Sequence, residues 1–207
     1  MTGAGQLDGP TRALIALAGA IATGRTEQVA QCCDDAVARG APAVWLDELI
    51  LQSLLMLDYP RALTAAHVWR KRSGTGPASL EDGTDYARVG EWQGRGAATC
   101  RVVYGENYEK LRANVLRLHP ALDAWMVVEG YGRTLSRPGL DLVRRELCVI
   151  VQVTVLGASR QLHSHLLGAL NAGATAVQVD AALAVAAEYA GPDQMELARD
   201  LWQRARP

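Results

Sequence analysis

Three features are missing from this chain of 207 residues, and each absence excludes a class of protein. No apolar run reaches the roughly eighteen residues of a membrane-spanning helix, so we expect no membrane partner. Residues 1–8 have neither the positive charge nor the apolar stretch of a signal peptide, so we expect a cytoplasmic location. A cluster of basic residues is also missing, because the net charge is -1 and the arginines are interspersed among acids. We therefore expect no nucleic-acid partner.

A paired-thiol motif is also missing. The four cysteines, Cys32, Cys33, Cys100 and Cys148, form no C-x-x-C pair. In a cytosolic protein we expect them to be reduced and to fill space as small apolar side chains. Hydrophobic residues make up 49% of the chain and charged residues 21%, enough to bury an ordinary core without cross-links. The composition therefore indicates a soluble globular protein.

An internal repeat is the first positive feature of the chain. Shifting the sequence by 133 positions aligns two stretches without a gap. The matched pairs are Arg12 with Arg145, Leu14 with Leu147, Gly24 with Gly157, Gln28 with Gln161, Ala36 with Ala169, Gly40 with Gly173, Ala41 with Ala174 and Asp47 with Asp180. Segments related in this way should share one conformation, so the secondary structure of one copy predicts that of the other.

Helices are the predicted secondary structure. Ala, Leu and Val dominate segments of about 10 to 16 residues between turn signals, which favours an all-α fold. Residues 148–156 are β-branched and partly alternating, as in a strand. Their counterpart, residues 15–23, is rich in alanine and suits a helix, so we predict a buried helix over residues 142–156. The helices predicted in the first repeat cover residues 11–23, 26–38, 43–57 and 60–70.

Turn residues predict where the helices of the second repeat begin and end. Gly157 ends the 142–156 helix, and the next helix begins near Ser159. Thr175, followed three residues later by Gln178, is a capping box that opens a third helix. The last helix follows Pro192 and carries Met195, Ala198 and Trp202.

The stretch between the repeats predicts the domain organisation. Residues 76–99 are rich in glycine, so we interpret them as a linker or mobile loop. Residues 1–75 are then a degenerate N-terminal repeat, and residues 100–207 a C-terminal unit that carries the functional site. Gly130 and Gly132 predict turns on the path into the 142–156 helix. The chain is thus predicted to be a tandem repeat of helical units.

Ionisable side chains in apolar segments mark the candidate site. Glu146 lies in one apolar segment of the second repeat, and His163 and His165 lie in the next. The first repeat has Ala13, Ala30 and Cys32 at the corresponding positions, so it lacks the acid and both histidines. Because an unpaired charge is costly in an apolar helix, such groups are candidates for function. We therefore predict a site in the second repeat only.

Three phrases in the second half carry a family resemblance: GYGRTLSRPGLDLVRREL, LGASRQLHSHLLGALNAGAT and AAEYAGP. Together they resemble the carboxymuconolactone decarboxylase family, which shares its all-helical fold with the alkylhydroperoxidase D proteins. The resemblance covers residues 100–207 well and residues 11–70 more weakly. Peroxidase-type relatives have a C-x-x-C pair at the start of the second helix, where this chain has Ala158 and Gln161. The missing thiols argue against peroxidase activity at that site.

The resemblance implies a decarboxylase-like enzyme that acts without cofactor or metal on a small carboxylated or lactone-type metabolite. Loss of the carboxylate leaves an extended enolate that must be stabilised and protonated. Glu146, kept protonated by its apolar neighbours, is the candidate acid, and His165 is the candidate group that polarises the oxyanion. The candidate substrate-binding residues are His163, Gln161, Arg144, Arg145, Arg133, Tyr131 and Trp125. Of these, the arginines would hold a carboxylate.

Other interpretations of the same residues remain open. Glu146 could pair with an arginine across a subunit contact, and His165 or His163 could be a packing histidine. In a plain antiparallel hairpin, Glu146 lies about 18 Å and His165 about 10 Å from the turn, so contact would need a crossing angle, a bridging water or a neighbouring subunit.

Two other functions also remain open. One is an alkylhydroperoxidase-type antioxidant protein that uses Cys148 or the adjacent Cys32 and Cys33. The other is a non-catalytic oligomeric binding protein. Beyond a small-molecule substrate, the expected partner is a second copy of this chain, because the resemblance implies a homotrimer first and a hexamer second.

Overall fold

The computed structural model describes residues 6–76 and 83–207, and within these ranges it contains helices and no strand. This confirms the predicted all-α fold. In chain order the α-helices are α1 (Gly9–Thr23), α2 (Thr26–Ala38), α3 (Ala43–Met56), α4 (Tyr59–Ser73), α5 (Val89–Tyr104), α6 (Tyr108–Leu118), α7 (Pro120–Trp125), α8 (Leu142–Leu156), α9 (Ser159–Asn171), α10 (Ala176–Ala186) and α11 (Pro192–Ala205). A π-helix, Met126–Leu135, follows α7 directly. None of these helices is long and apolar enough to cross a membrane.

The chain divides into two compact units. The first unit combines Met1–Ala78 with Gly139–Pro207 and so holds both repeats, while the second unit is Ser79–Pro138. This division differs from the predicted boundaries at residues 75 and 100. The reason lies in how the repeats pack: α1 contacts α8, α3 contacts α8, and α10 contacts α1. The central helices of the two repeats are α1 and α8, and each is contacted by helices of the other repeat. The repeats therefore share one core, and neither forms a separate domain.

Matching caps begin and end the central helices of the two repeats. Asp8 accepts a hydrogen bond from the backbone N–H of Thr11 at the start of α1, and Asp141 accepts one from Arg144 at the start of α8. Gly24 and Gly157 end these helices with φ of 72° and 68°, a left-handed conformation that favours glycine. The Thr175–Gln178 capping box predicted for α10 is also present. Local sequence therefore determines these boundaries.

A tryptophan–aspartate hydrogen bond occurs in both repeats. Trp69 Nε1 donates to Asp47 Oδ1 at 2.6 Å, and Trp202 Nε1 donates to Asp180 Oδ1 at 2.6 Å. Both partners are related by the same shift of 133 positions. In each repeat the bond ties the last helix to the third, so the two copies have the same local architecture.

Helix α8 is the most deeply buried element that bears on function. Every residue from Arg145 to Thr154 is buried, including the β-branched stretch that resembled a strand. Packing of α1, α3, α9, α10 and α11 around this helix explains how a sequence of low helix propensity remains helical. It also means that any polar side chain on α8 must find a partner inside the protein.

The second unit is helical where a linker was predicted. Residues 77–82 of that predicted linker lie outside the described residues, but α5 begins at Val89. One of the glycines interpreted as chain breakers has a different role, because a Cβ at Gly96 would lie 2.0 Å from the carbonyl oxygen of Val127 and 2.8 Å from the nitrogen of Gly132. Gly96 and Gly132 thus allow α5 and the π-helix to pack backbone to backbone. Gly132 lies within the π-helix, as Gly130 does, and neither forms the predicted turn.

Candidate functional site

The turn at Gly157 brings Glu146 and His165 onto facing helices. Glu146 is fully buried on α8, and His165 is buried on α9. On α9 the buried residues include Leu162, His165, Leu166 and Ala169, a spacing that defines one helix face. His165 therefore belongs to the apolar face itself, whereas His163 is exposed. The two histidines of this helix therefore have different environments.

Glu146 and His165 are in direct contact. His165 Nδ1 lies 2.8 Å from Glu146 Oε2, so the bond needs neither a water nor a second subunit. Counted from Gly157, the residues differ by three positions, or about 4.5 Å along the helix axes. Packed helices lie about 8–10 Å apart, and the extended glutamate and histidine side chains together span that separation. The direct contact is therefore made without the bridging water or the neighbouring subunit that were considered for a plain hairpin.

The polar atoms of this dyad are incompletely satisfied. Glu146 Oε1 is buried and has no hydrogen-bond partner among the described residues. About 5% of the His165 side chain reaches the surface, and with Nδ1 turned to Glu146 the opposite ring nitrogen is Nε2. An orphan carboxylate oxygen carries a desolvation cost that a bound ligand or water can relieve. The dyad thus combines a fixed histidine with unused hydrogen-bonding capacity.

Arg145, next to the dyad, does not have the predicted role of substrate ligand. It is fully buried, and all three guanidinium nitrogens are occupied within the first unit. Nη2 donates to Glu48 Oε2 at 2.7 Å, Nη1 to Gln52 Oε1 at 3.0 Å and Nε to the Leu140 carbonyl at 2.9 Å. Because this guanidinium is fully buried and held by three groups of the fold, it is not accessible to a substrate carboxylate. Arg145 instead locks α3 onto α8.

Arg144 is also occupied by the protein. Its Nη1 donates to Asp141 at 2.5 Å, its Nη2 to Asp8 at 3.2 Å and its Nε to Thr11 Oγ1 at 2.8 Å. Asp8 and Asp141 are the equivalent N-caps of α1 and α8, so one arginine joins the starts of both central helices. Arg144, which was predicted to bind a substrate carboxylate, therefore binds carboxylates of the protein itself.

The remaining predicted binding residues are dispersed. Gln161, a predicted substrate-binding residue, is exposed at the start of α9, whereas the dyad is buried. Arg133, Tyr131 and Trp125 belong to the second unit. There Arg133 donates to Glu129 at 2.6 Å, Tyr131 is buried edge-on against Tyr104, and Trp125 is 62% exposed. Within the first unit, the structure brings only Glu146 and His165 of the predicted set together as a contacting pair.

A comparison with protein-family models identifies the family of this chain. The model of the carboxymuconolactone decarboxylase family matches residues 1–71 and 120–204, which cover both repeats and most of the chain. The chain belongs to this family. A comparison with curated proteins finds no match. The family match includes the weaker first repeat, and it covers α8 and α9, which carry the dyad.

Peroxidase-type members of the carboxymuconolactone decarboxylase family depend on reactive thiols, and the cysteines here have the opposite character. Burial raises the pKa of Cys33 to about 12 and also raises the pKa of the fully buried Cys148. Burial raises the pKa of Cys32 as well, although a hydrogen bond with Tyr189 partly opposes this. A raised pKa leaves little thiolate at neutral pH, so none of these three thiols has the character of a peroxide-attacking nucleophile.

Sequence reasoning missed the polar residues of α3. Glu48 and Gln52 hold Arg145, and Ser53 accepts a 2.7 Å hydrogen bond from Gln152 Nε2 of α8. The available signal was an acid within the apolar segment 43–56, the same signal that identified Glu146.

Among the described residues, no group of three His, Cys, Asp or Glu side chains could hold a metal ion.

Proposed function

We propose that this chain is a cofactor-free enzyme that transfers protons on a small carboxylated, lactone-type substrate, with decarboxylation as the leading reaction. The observation that carries the proposal is the buried 2.8 Å contact between His165 Nδ1 and Glu146 Oε2. A carboxylate that accepts the Nδ1 proton fixes the tautomer and orientation of the ring. It leaves Nε2 as the nitrogen that can exchange a proton with a substrate.

The proposed roles of the two residues follow from their burial. His165, and not Glu146 as expected from the sequence, is the proposed catalytic acid or base, because its side chain retains a small exposed fraction. Glu146 is fully buried and positions the ring. In the reaction, the bond to the substrate carboxylate breaks, its electron pair enters the extended enolate and carbon dioxide leaves. The imidazolium then donates its Nε2 proton to the substrate carbon, and solvent restores that proton. A negative enolate also stabilises the imidazolium that protonates it.

The two alternative functions have less support. A thiol antioxidant needs an accessible thiolate, which the raised thiol pKa values oppose. A purely structural binding protein would be favoured by a solvent-open Glu146, and this side chain is fully buried. Neither observation favours a second candidate over proton-transfer chemistry.

The test compares two histidines on the same helix. His165→Ala and Glu146→Gln should each lower the rate of carbon dioxide release from a carboxylated muconolactone by roughly 10²-fold or more. His163→Ala removes an exposed histidine two positions away and should leave that rate within about twofold. Because the dyad acts as a unit, the double variant should be little slower than either single variant.

Three outcomes would contradict the proposal. One is additive losses in the double variant, and another is an equal loss for His163→Ala and His165→Ala. The third is a wild-type protein that releases no carbon dioxide from a panel of carboxylated lactones. Circular dichroism of each variant checks that the helices remain folded.

A further inference from the structure

A shallow open depression of about 480 Å³ lies between α9 and α11. It is lined by Ser159, Arg160, His163, Ser164, Leu201 and Arg204. We call it the α9–α11 groove. Two of its six lining residues are arginines and none is acidic, although the whole chain has a net charge of -1. The groove is therefore a local concentration of positive charge.

The two groove arginines differ from other arginines close to them in sequence, which bind carboxylates of the protein. Arg144 and Arg145 of α8 and Arg206, just after α11, each bind a carboxylate within the chain. The side chains of Arg160 and Arg204 make no ion pair or hydrogen bond with any residue in the ranges 6–76 and 83–207. Their donors are free to bind a ligand, and a guanidinium matches a carboxylate in geometry.

The first repeat provides an internal comparison for the groove. Shifting the groove residues back by 133 positions gives Thr26, Glu27, Ala30, Gln31, Val68 and Lys71. The arginine at 160 thus corresponds to Glu27, and the arginine at 204 to Lys71. The equivalent surface of α2 and α4 carries one charge of each sign, whereas the α9–α11 groove carries two positive charges. The positive groove is therefore not a property of the shared fold.

We propose that the α9–α11 groove binds a small organic dicarboxylate. Arg160 and Arg204 hold its carboxylates, and the hydroxyl groups of Ser159 and Ser164 are available as additional donors. Leu201 and the aliphatic parts of the arginine side chains contact the carbon skeleton. This apolar contribution favours an organic anion over a compact inorganic one.

The start of α9 adds to the positive potential in the groove. Ala158 caps this 13-residue helix without a side-chain hydrogen bond. The first backbone N–H groups of a helix have no intrahelical acceptor and favour negative charge nearby. Ser159 and Arg160 belong to this first turn and also line the groove. The inference concerns binding alone and does not depend on the chemistry of the Glu146–His165 dyad.

The test is a titration of the whole protein with glutarate, monitored by calorimetry and by the methyl resonances of leucine and valine. Glutarate should bind and shift the Leu201 methyl resonances, while those of Val68, the equivalent residue of the first repeat, should not move. Arg160→Gln and Arg204→Gln should each weaken binding by roughly three- to tenfold, as expected for loss of one exposed charge-assisted contact. Arg160→Glu, which copies Glu27, should weaken it further.

A charge-matched variant and an inorganic anion complete the experiment. Arg199→Gln removes an exposed arginine of α11 outside the groove, so glutarate affinity should stay within about twofold. Inorganic phosphate should bind more weakly than glutarate because it makes no apolar contact. Any of three results would overturn the proposal: no glutarate binding at tens of millimolar, equal losses for Arg199→Gln and Arg204→Gln, or phosphate binding as tightly as glutarate.

Discussion

At the scale of single residues, two arginines at equivalent positions of the repeats have different environments. Arg145 is fully buried against Glu48, whereas Arg12, its equivalent in the first repeat, pairs with Glu188 at 3.5 Å and is 52% exposed. Breaking a buried ion pair leaves a charge without solvent or partner, which costs far more than losing a solvated pair. The two pairs therefore form a matched comparison within one molecule.

Removing the acidic partner of each arginine should give unequal losses of stability. Glu48→Ala should lower the free energy of unfolding by about 3–5 kcal/mol, because the Arg145 guanidinium stays buried. Glu188→Ala should lower it by less than about 1 kcal/mol. Urea denaturation followed by circular dichroism measures both values. Similar losses in the two variants would show that Arg145 finds another way to be solvated.

Thiol reactivity is a second prediction at the residue scale. Because burial raises the pKa values of Cys32, Cys33 and Cys148, the thiolate fraction of the folded protein at pH 8 is lower than for a free cysteine. A disulfide reagent should therefore react slowly with the native protein and faster as the pH rises. Guanidinium-unfolded protein should react rapidly at all four cysteines. A thiol oxidised quickly by peroxide at pH 7 would contradict this expectation.

At the scale of helices, two glycines of α5 have opposite roles. Gly96 packs against the backbone of the π-helix, while a Cβ at Gly94 would meet nothing within 4 Å. In helix interiors glycine is otherwise less stable than alanine, because its backbone loses more freedom on folding. Only the packed glycine is required by the structure.

Alanine substitutions should therefore have opposite signs at these two positions. Gly96→Ala should lower the stability of the second unit by about 1–3 kcal/mol or more, because backbone atoms must move apart. Gly94→Ala should raise it by about 0.5–1 kcal/mol. Thermal and urea unfolding of both variants provide the measurement. Stabilisation by both changes would mean that α5 and the π-helix are not closely packed.

At the scale of the whole molecule, apolar surface on the first unit suggests further assembly. Leu51 of α3 and Tyr59 and Leu63 of α4 are exposed, with Tyr59 at 66% and Leu63 at 64%. Exposed apolar patches commonly mark protein interfaces. Together with the trimers implied by the family resemblance, this supports the proposal that a second copy of the chain covers these helices.

We expect a homotrimer, with a hexamer as the next choice, in light scattering at micromolar concentration. Leu63→Glu should shift the distribution toward smaller species, because a charge buried at an interface is costly. Leu118→Glu, in the second unit, adds the same charge at a position that is 77% exposed and serves as the comparison. A monomeric mass for the wild-type chain would exclude this assembly.

Sequence by itself determined the helices of the repeats and the identity of the candidate pair. The caps at Asp8, Asp141 and Thr175 and the turn glycines are local devices whose chemistry can be read directly from neighbouring residues. The gapless repeat decided that residues 142–156 are helical against their β-branched composition. Glu146 and His165 were identifiable because ionisable groups are rare in apolar helices.

Tertiary structure alone decided which groups satisfy which charges. Arg144 and Arg145 looked alike in sequence as possible substrate clamps, but one bridges two helix caps and the other is buried against Glu48, 97 positions away. Gly96 of α5 resembled a chain breaker until its contact with the π-helix showed close packing. Sequence periodicity specifies which face of a helix is buried, but the partner on the opposite side depends on contacts between distant segments. Those contacts exist only once the two repeats have packed into one core.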